Sequence, residues 1–122
     1  IERLVPVDKL LTDTPSVEAA GRFWSDMIEV GLADLARVPQ AQQHVMRYAD
    51  LIAEPRATLE AMLNFAAPGV PTKEWLDDVH TMPRHREPAW MGLSKEAQDG
   101  LEAACAKGTA LLKQMEAQRA ST

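Results

Sequence analysis

Gln42-Gln43-His44-Val45-Met46-Arg47-Tyr48-Ala49-Asp50-Leu51-Ile52-Ala53-Glu54-Pro55 is the stretch on which the fold turns. Val45 and Arg47 alternate with Met46 and Tyr48, the period-two pattern of a short β-strand over His44–Tyr48. Asp50 to Glu54 turn the chain, and Pro55, with its fixed φ, suits the first residue of a helix. The chain offers no second strand to pair with the first. A lone extended segment leaves backbone donors and acceptors open on both edges and is not a stable unit. Either His44–Tyr48 is not a strand, or its partner lies outside these 122 residues. A missing N-terminal portion, a second chain or a symmetry mate would serve, and an opening at Ile1 rather than Met favours the first.

Helical periodicity extends in both directions from this segment. Upstream, Thr14-Pro15 reads as a cap and first-turn proline. Val17, Ala20, Trp24, Met27, Ile28, Gly31 and Leu35 then recur at three and four, predicting an amphipathic helix over 15–38 that Pro39 stops. Downstream, Leu59, Met62, Leu63 and Ala66 predict a helix over 55–67, ended by Pro68-Gly69. Thr72 caps a shorter helix over 73–80, with Trp75, Leu76 and Val79 as its apolar positions. Thr81–Pro88 is a polar loop that holds Arg84, His85 and Arg86 between two prolines. Ser94 opens a last helix over 94–116, whose inner face would carry Ala97, Leu101, Ala104, Cys105, Gly108, Leu112 and Met115. The first thirteen residues read as a loop with one helical turn, and 117–122 as a fraying tail. The expected fold is mainly α with one short strand, in a single or partial domain over 1–122. Trp75 and Trp90 are expected to anchor its core.

Composition removes several function classes. Thirteen Lys and Arg against eighteen Asp and Glu give a net charge of −5, which argues against general binding of nucleic acid or an anionic membrane. No apolar run approaches the roughly 18 residues that span a bilayer. A single cysteine, Cys105, forms no internal disulfide and suits a cytoplasmic setting. His44, His80 and His85 lack metal-ligand spacing and read as surface or cap residues, so no metal site is expected. The six glycines are dispersed, with no phosphate-cradling loop, and no Ser-His-Asp or Cys-His arrangement is anchored. The chain alone carries no complete set of catalytic residues.

Two segments remain. One is Val45-Met46-Arg47-Tyr48-Ala49-Asp50-Leu51, continued by Glu54-Pro55, Leu59, Leu63 and Phe65. The other is Pro83-Arg84-His85-Arg86-Glu87-Pro88, followed by Trp90 and Leu93-Ser94. In this order and spacing they resemble the C-terminal half of the sulfotransferases that use 3′-phosphoadenylyl sulfate (PAPS). That family carries an Arg-Tyr-Glu-Asp-Leu segment on a strand, an acidic-Pro turn, a Leu-rich helix, then a basic loop, a Trp and a closing helix. This chain has Ala49 in place of the Glu, and Phe65-Ala66-Ala67 at the helix end. The likeness covers about two-thirds of the chain.

The resemblance implies an α/β fold lacking here its N-terminal half, which holds the phosphosulfate loop, the base, and the Arg and Ser of the 3′-phosphate site. It implies that Tyr48 lies against the adenine of PAPS and that Arg84, with His85 and Arg86 beside it, belongs to the 3′-phosphate loop. Arg86 stands where the family often has Gly, so either Arg84 or Arg86 would touch phosphate. Read without the resemblance, Tyr48 is a core tyrosine and residues 84–86 a solvated basic loop. The implied activity is transfer of a sulfuryl group from PAPS to a hydroxyl or amine of a small-molecule or carbohydrate acceptor. It would be completed by the missing half or by a homo-oligomer partner, this chain alone being inactive. The alternative is a non-catalytic helical protein-interaction module. A real strand at His44–Tyr48 and a use for the basic loop would favour the sulfotransferase.

Overall fold

The computed structural model describes residues 14–121, so the turn expected within the first thirteen lies outside the described residues. Five α-helices occur among them: α1 (Val17–Leu35), α2 (Tyr48–Ala53), α3 (Pro55–Ala66), α4 (Lys73–Val79) and α5 (Lys95–Ala120). Short 3-10 turns lie at Gln40–Gln42 and Ala89–Gly92. The described chain divides into two compact units, one formed by residues up to Arg37 with those from Ala89 onwards, the other by Val38–Pro88.

In the first unit α1 pairs with α5. Ser16 opens α1, its Oγ accepting the Ala19 N–H at 3.1 Å, so the cap falls two residues beyond Thr14. Ser94 opens α5 as expected, accepting from the Ala97 N–H at 3.2 Å. The buried positions of the α1–α5 seam are small residues, and of the large ones of the expected stripe Trp24 packs over Gly108. Gly21 and Ser25 are the buried positions of α1, and Gly108 that of α5. The Ser25 hydroxyl, 2% exposed, donates to the Ala104 carbonyl at 2.9 Å and accepts from the Gly108 N–H at 3.2 Å. It thus bridges two groups one turn apart on α5. Cys105 belongs to the same seam, its Sγ lying 4.0 Å from the Gly21 carbonyl. Large apolar residues of α1 are left outside, Phe23, Met27 and Val30 among them. Trp90 is likewise half exposed rather than a core anchor. Lys107 of α5 binds Glu29 of α1, with Asp26 3.9 Å away, and the hydrogen bond to Glu29 raises its pKa above 10.5.

The second unit corrects the strand. No β-strand occurs among the described residues. Gln43 (φ −115°, ψ 136°) and Arg47 (φ −90°, ψ 137°) are extended. His44, Val45 and Met46, however, make no backbone–backbone hydrogen bond among the described residues. A strand is defined by its ladder, and here there is none. Tyr48 is not a strand residue; it is the first residue of α2. The turn expected at 50–54 is also mostly α2, a six-residue helix too short to show a period. It ends because Pro55 disfavours helical backbone at Glu54, which sits at φ −137°, and then starts α3 as its first residue. The Thr58 hydroxyl donates to the Asp50 carbonyl at 3.0 Å across this break. His44 stacks on Phe65 of α3 with ring centroids 5.3 Å apart. Past α3, Ala67-Pro68-Gly69-Val70 closes with Val70 N–H to Ala67 C=O at 3.2 Å. Gly69 takes φ +84° as the third residue of that turn, a conformation favouring glycine.

Candidate functional site

A cavity of about 380 Å³ lies in the second unit. Leu51 and Ile52 of α2, Leu59 of α3 and Val79 of α4 supply its aliphatic lining. Tyr48, Trp75, Met82, Pro83 and Arg84 complete it. Local chemistry sets each position. Tyr48 opens α2 after an extended Arg47 and is 64% exposed, which removes the reading of it as a core tyrosine. Trp75 and Val79 stand four apart on one face of α4. Trp75 is 44% exposed, and the burial expected of it falls to its neighbour Leu76.

The end of α4 carries the chain round to Arg84. His80 caps that end, its Nδ1 lying 2.8 Å from the Leu76 carbonyl and 3.1 Å from that of Asp77. A proton on Nδ1 donates to these carbonyls of the last turn, that of Leu76 already accepting the His80 N–H at 3.0 Å. The Met82 N–H then bonds the Val79 carbonyl at 2.9 Å and folds Met82–Arg84 back. The resemblance grouped Tyr48 and Arg84, and the structure brings both to one cavity. His85 and Arg86 do not line it; the His85 Nε2 lies 3.4 Å from a carboxylate oxygen of Glu87. The lining contains one cation, Arg84, and no carboxylate. An apolar, partly aromatic cavity with one guanidinium suits a planar ring bearing an anionic group.

Asp77 fastens the helices that carry this lining. The Arg56 guanidinium of α3 reaches it at 2.8 Å and Lys73 of α4 at 3.0 Å. Hydrogen bonds from Lys73 first and Arg56 second hold the Asp77 carboxyl below its usual 3.8. A depressed pKa stabilises the folded state above pH 3.8 and stops doing so as pH falls through the folded-state value. Asp77→Asn should therefore melt below the native chain at pH 7. The gap should close as both are acidified below pH 3.8, which thermal denaturation across that range will read.

A second cavity, of about 570 Å³ in the first unit, is lined by Glu18, Arg22, Asp26 and Lys107 around Ser25 and Gly100. Two carboxylates there face two cations, one already bound to Glu29, so it offers no charge preference. Among the described residues no cluster of three or more His, Cys, Asp or Glu side chains could hold a metal, and no helix is long and apolar enough to cross a membrane.

Sequence reasoning missed most of the lining: Leu51, Ile52, Leu59, Trp75, Val79 and Met82. The sequence places Leu59 in a buried stripe and Trp75 and Val79 at the apolar positions of α4, and the spacing of Trp75 and Val79 is the available signal that they share a face. No family model, no curated protein and no solved structure matches this chain.

Proposed function

We propose that this chain is the adenine- and 3′-phosphate-binding portion of a sulfotransferase that uses PAPS. The observation that carries the reading is the shared cavity of Tyr48 and Arg84, two residues 36 positions apart that the motif order had already paired. In this reading Tyr48 offers its ring to the adenine, and the Arg84 fork donates charge-assisted hydrogen bonds to the 3′-phosphate. Arg84, not Arg86, is the phosphate contact. His85 and Arg86 are loop neighbours without a direct role. The phosphosulfate, the base and the acceptor are handled by polypeptide outside these residues, and the chain by itself transfers no sulfuryl group. The open backbone of residues 44–46 supports such an assembly, because a neighbouring strand would satisfy it.

A second reading, a non-catalytic helical interaction module, draws support from the lack of a strand among the described residues and from the exposed Phe23, Met27 and Val30 of α1. Calorimetry with adenosine 3′,5′-bisphosphate separates the two. The chain should bind it, and Arg84→Ala should weaken binding roughly 10- to 100-fold, the worth of a hydrogen bond to a charged group. Arg86→Ala and His85→Ala should leave affinity unchanged. Failure of the native chain to bind at millimolar ligand overturns the sulfotransferase reading and leaves the module.

A further inference from the structure

We infer that Trp75 is a ligand-binding residue, the second aromatic wall of a slot in which a purine ring lies against Trp75 and Tyr48. The inference rests on the nucleotide reading of the cavity but concerns a residue to which the family resemblance assigns no role.

Three observations carry it. Trp75 and Tyr48 line the same cavity, and their rings do not stack on one another; the one stacked ring pair among the described residues is His44 with Phe65. Neither ring is covered by stacking on the other. Next, Trp75 is only half buried. Adjacent residues of a helix lie about 100° apart, and on α4 it is Leu76, 2% exposed, that takes the buried direction while Trp75 stays 44% exposed. Finally, the volume and charge fit. About 380 Å³ falls in the lower part of the range for ligand cavities, and the sole charged lining residue is Arg84, suited to a phosphate attached to the base. Stacking on an aromatic side chain rewards any base face, and purines present the larger one.

The experiment titrates the full chain with adenosine and with adenosine 3′,5′-bisphosphate. Trp75→Leu should weaken both roughly 5- to 100-fold, the range for loss of one base–aromatic stack. Trp75→Phe, which keeps a ring, should recover most of the loss. Arg84→Ala should weaken the bisphosphate and spare adenosine. With Trp24 and Trp90 replaced by Phe, the remaining emission comes from Trp75 alone, and saturating adenosine should quench it. That readout holds even if Trp75→Leu folds poorly. Wild-type affinity in Trp75→Leu, or unquenched emission at saturation, overturns the Trp75 assignment while leaving nucleotide binding intact. Absence of binding by the native chain to either ligand overturns both.

Discussion

Gly108→Val should destabilise the α1–α5 pair by about 3 kcal/mol, the upper part of the range for overpacking a tight contact. The melting temperature of that unit should fall by on the order of 10 °C. A Cβ at position 108 would lie 2.6 Å from Cζ3 of Trp24 and 3.0 Å from the Cα of Ser25. Backbone cannot retreat as a flexible side chain can. Valine adds two further carbons to that crowding and pushes α1, with its Ser25 hydroxyl, away from the Ala104 carbonyl and Gly108 N–H that the hydroxyl bridges. Gly100 supplies the control on the same helix. A Cβ there meets the tip of Glu18 at 2.6 Å, an exposed carboxylate able to swing away. Gly100→Ala should thus gain most of the ~1 kcal/mol of helix propensity that glycine forfeits, and should raise the melting temperature. Circular dichroism melts of the two variants must move in opposite directions; a Gly108→Val chain that melts like the native one would refute close packing of the seam.

That seam shows where periodicity stops being informative. The spacing of apolar residues over 17–35 located α1 within three residues at either end, since helices recur every 3.6 residues whatever they pack on. It misjudged the buried line. Hydropathy ranks Met27 above Ser25, yet Ser25 is buried and Met27 exposed. What decides burial here is the close approach of α5, and closeness selects small residues. The last helix ran four residues past its expected end because Ala117, Gln118, Arg119 and Ala120 are good helix formers and nothing stops them. At His44–Tyr48 alternation marked a segment flanked by extended backbone at Gln43 and Arg47, but strand identity resides in a partner, which no local pattern contains. The physical objection to an isolated strand was therefore the better guide than the alternation itself.

For the site, order along the chain did more than any single motif. Tyr48 and Arg84, which the structure brings to one cavity, stand out in the sequence because each carries chemistry that few residue types can replace, a π face and a forked cation. Trp75 was illegible for the opposite reason. An indole at a helical apolar position is ordinarily core, and only the burial of Leu76 beside it shows that α4 spends its inward direction elsewhere. That Arg84 rather than Arg86 lines the cavity likewise depends on the turn after α4, set by His80 and the Met82 N–H, neither of which is visible as a motif.

Leu76→Ala should abolish the nucleotide binding proposed for the cavity without touching the ligand. Leu76 is the one large apolar side chain fully buried among the described residues, at 2% exposure, and it does not line the cavity. Truncating a buried leucine costs about 2–5 kcal/mol. A unit as short as Val38–Pro88 draws no more than roughly 3–5 kcal/mol from its apolar core, so one substitution can consume the whole of it. The ion pair of Arg56 with Asp77 is surface-exposed and cannot make up that loss. The expected result is loss of amide protection in α3 and α4 with protection retained along α5, whose partner is α1. Leu76→Met, which conserves volume, should cost under about 1.5 kcal/mol and keep binding. Hydrogen exchange read helix by helix, beside calorimetry, checks both. If Leu76→Ala keeps native protection in α4 and native affinity, then the cavity is held by its own lining and not by the packing of α4, and Trp75 and Val79 must owe their positions to the ligand face alone.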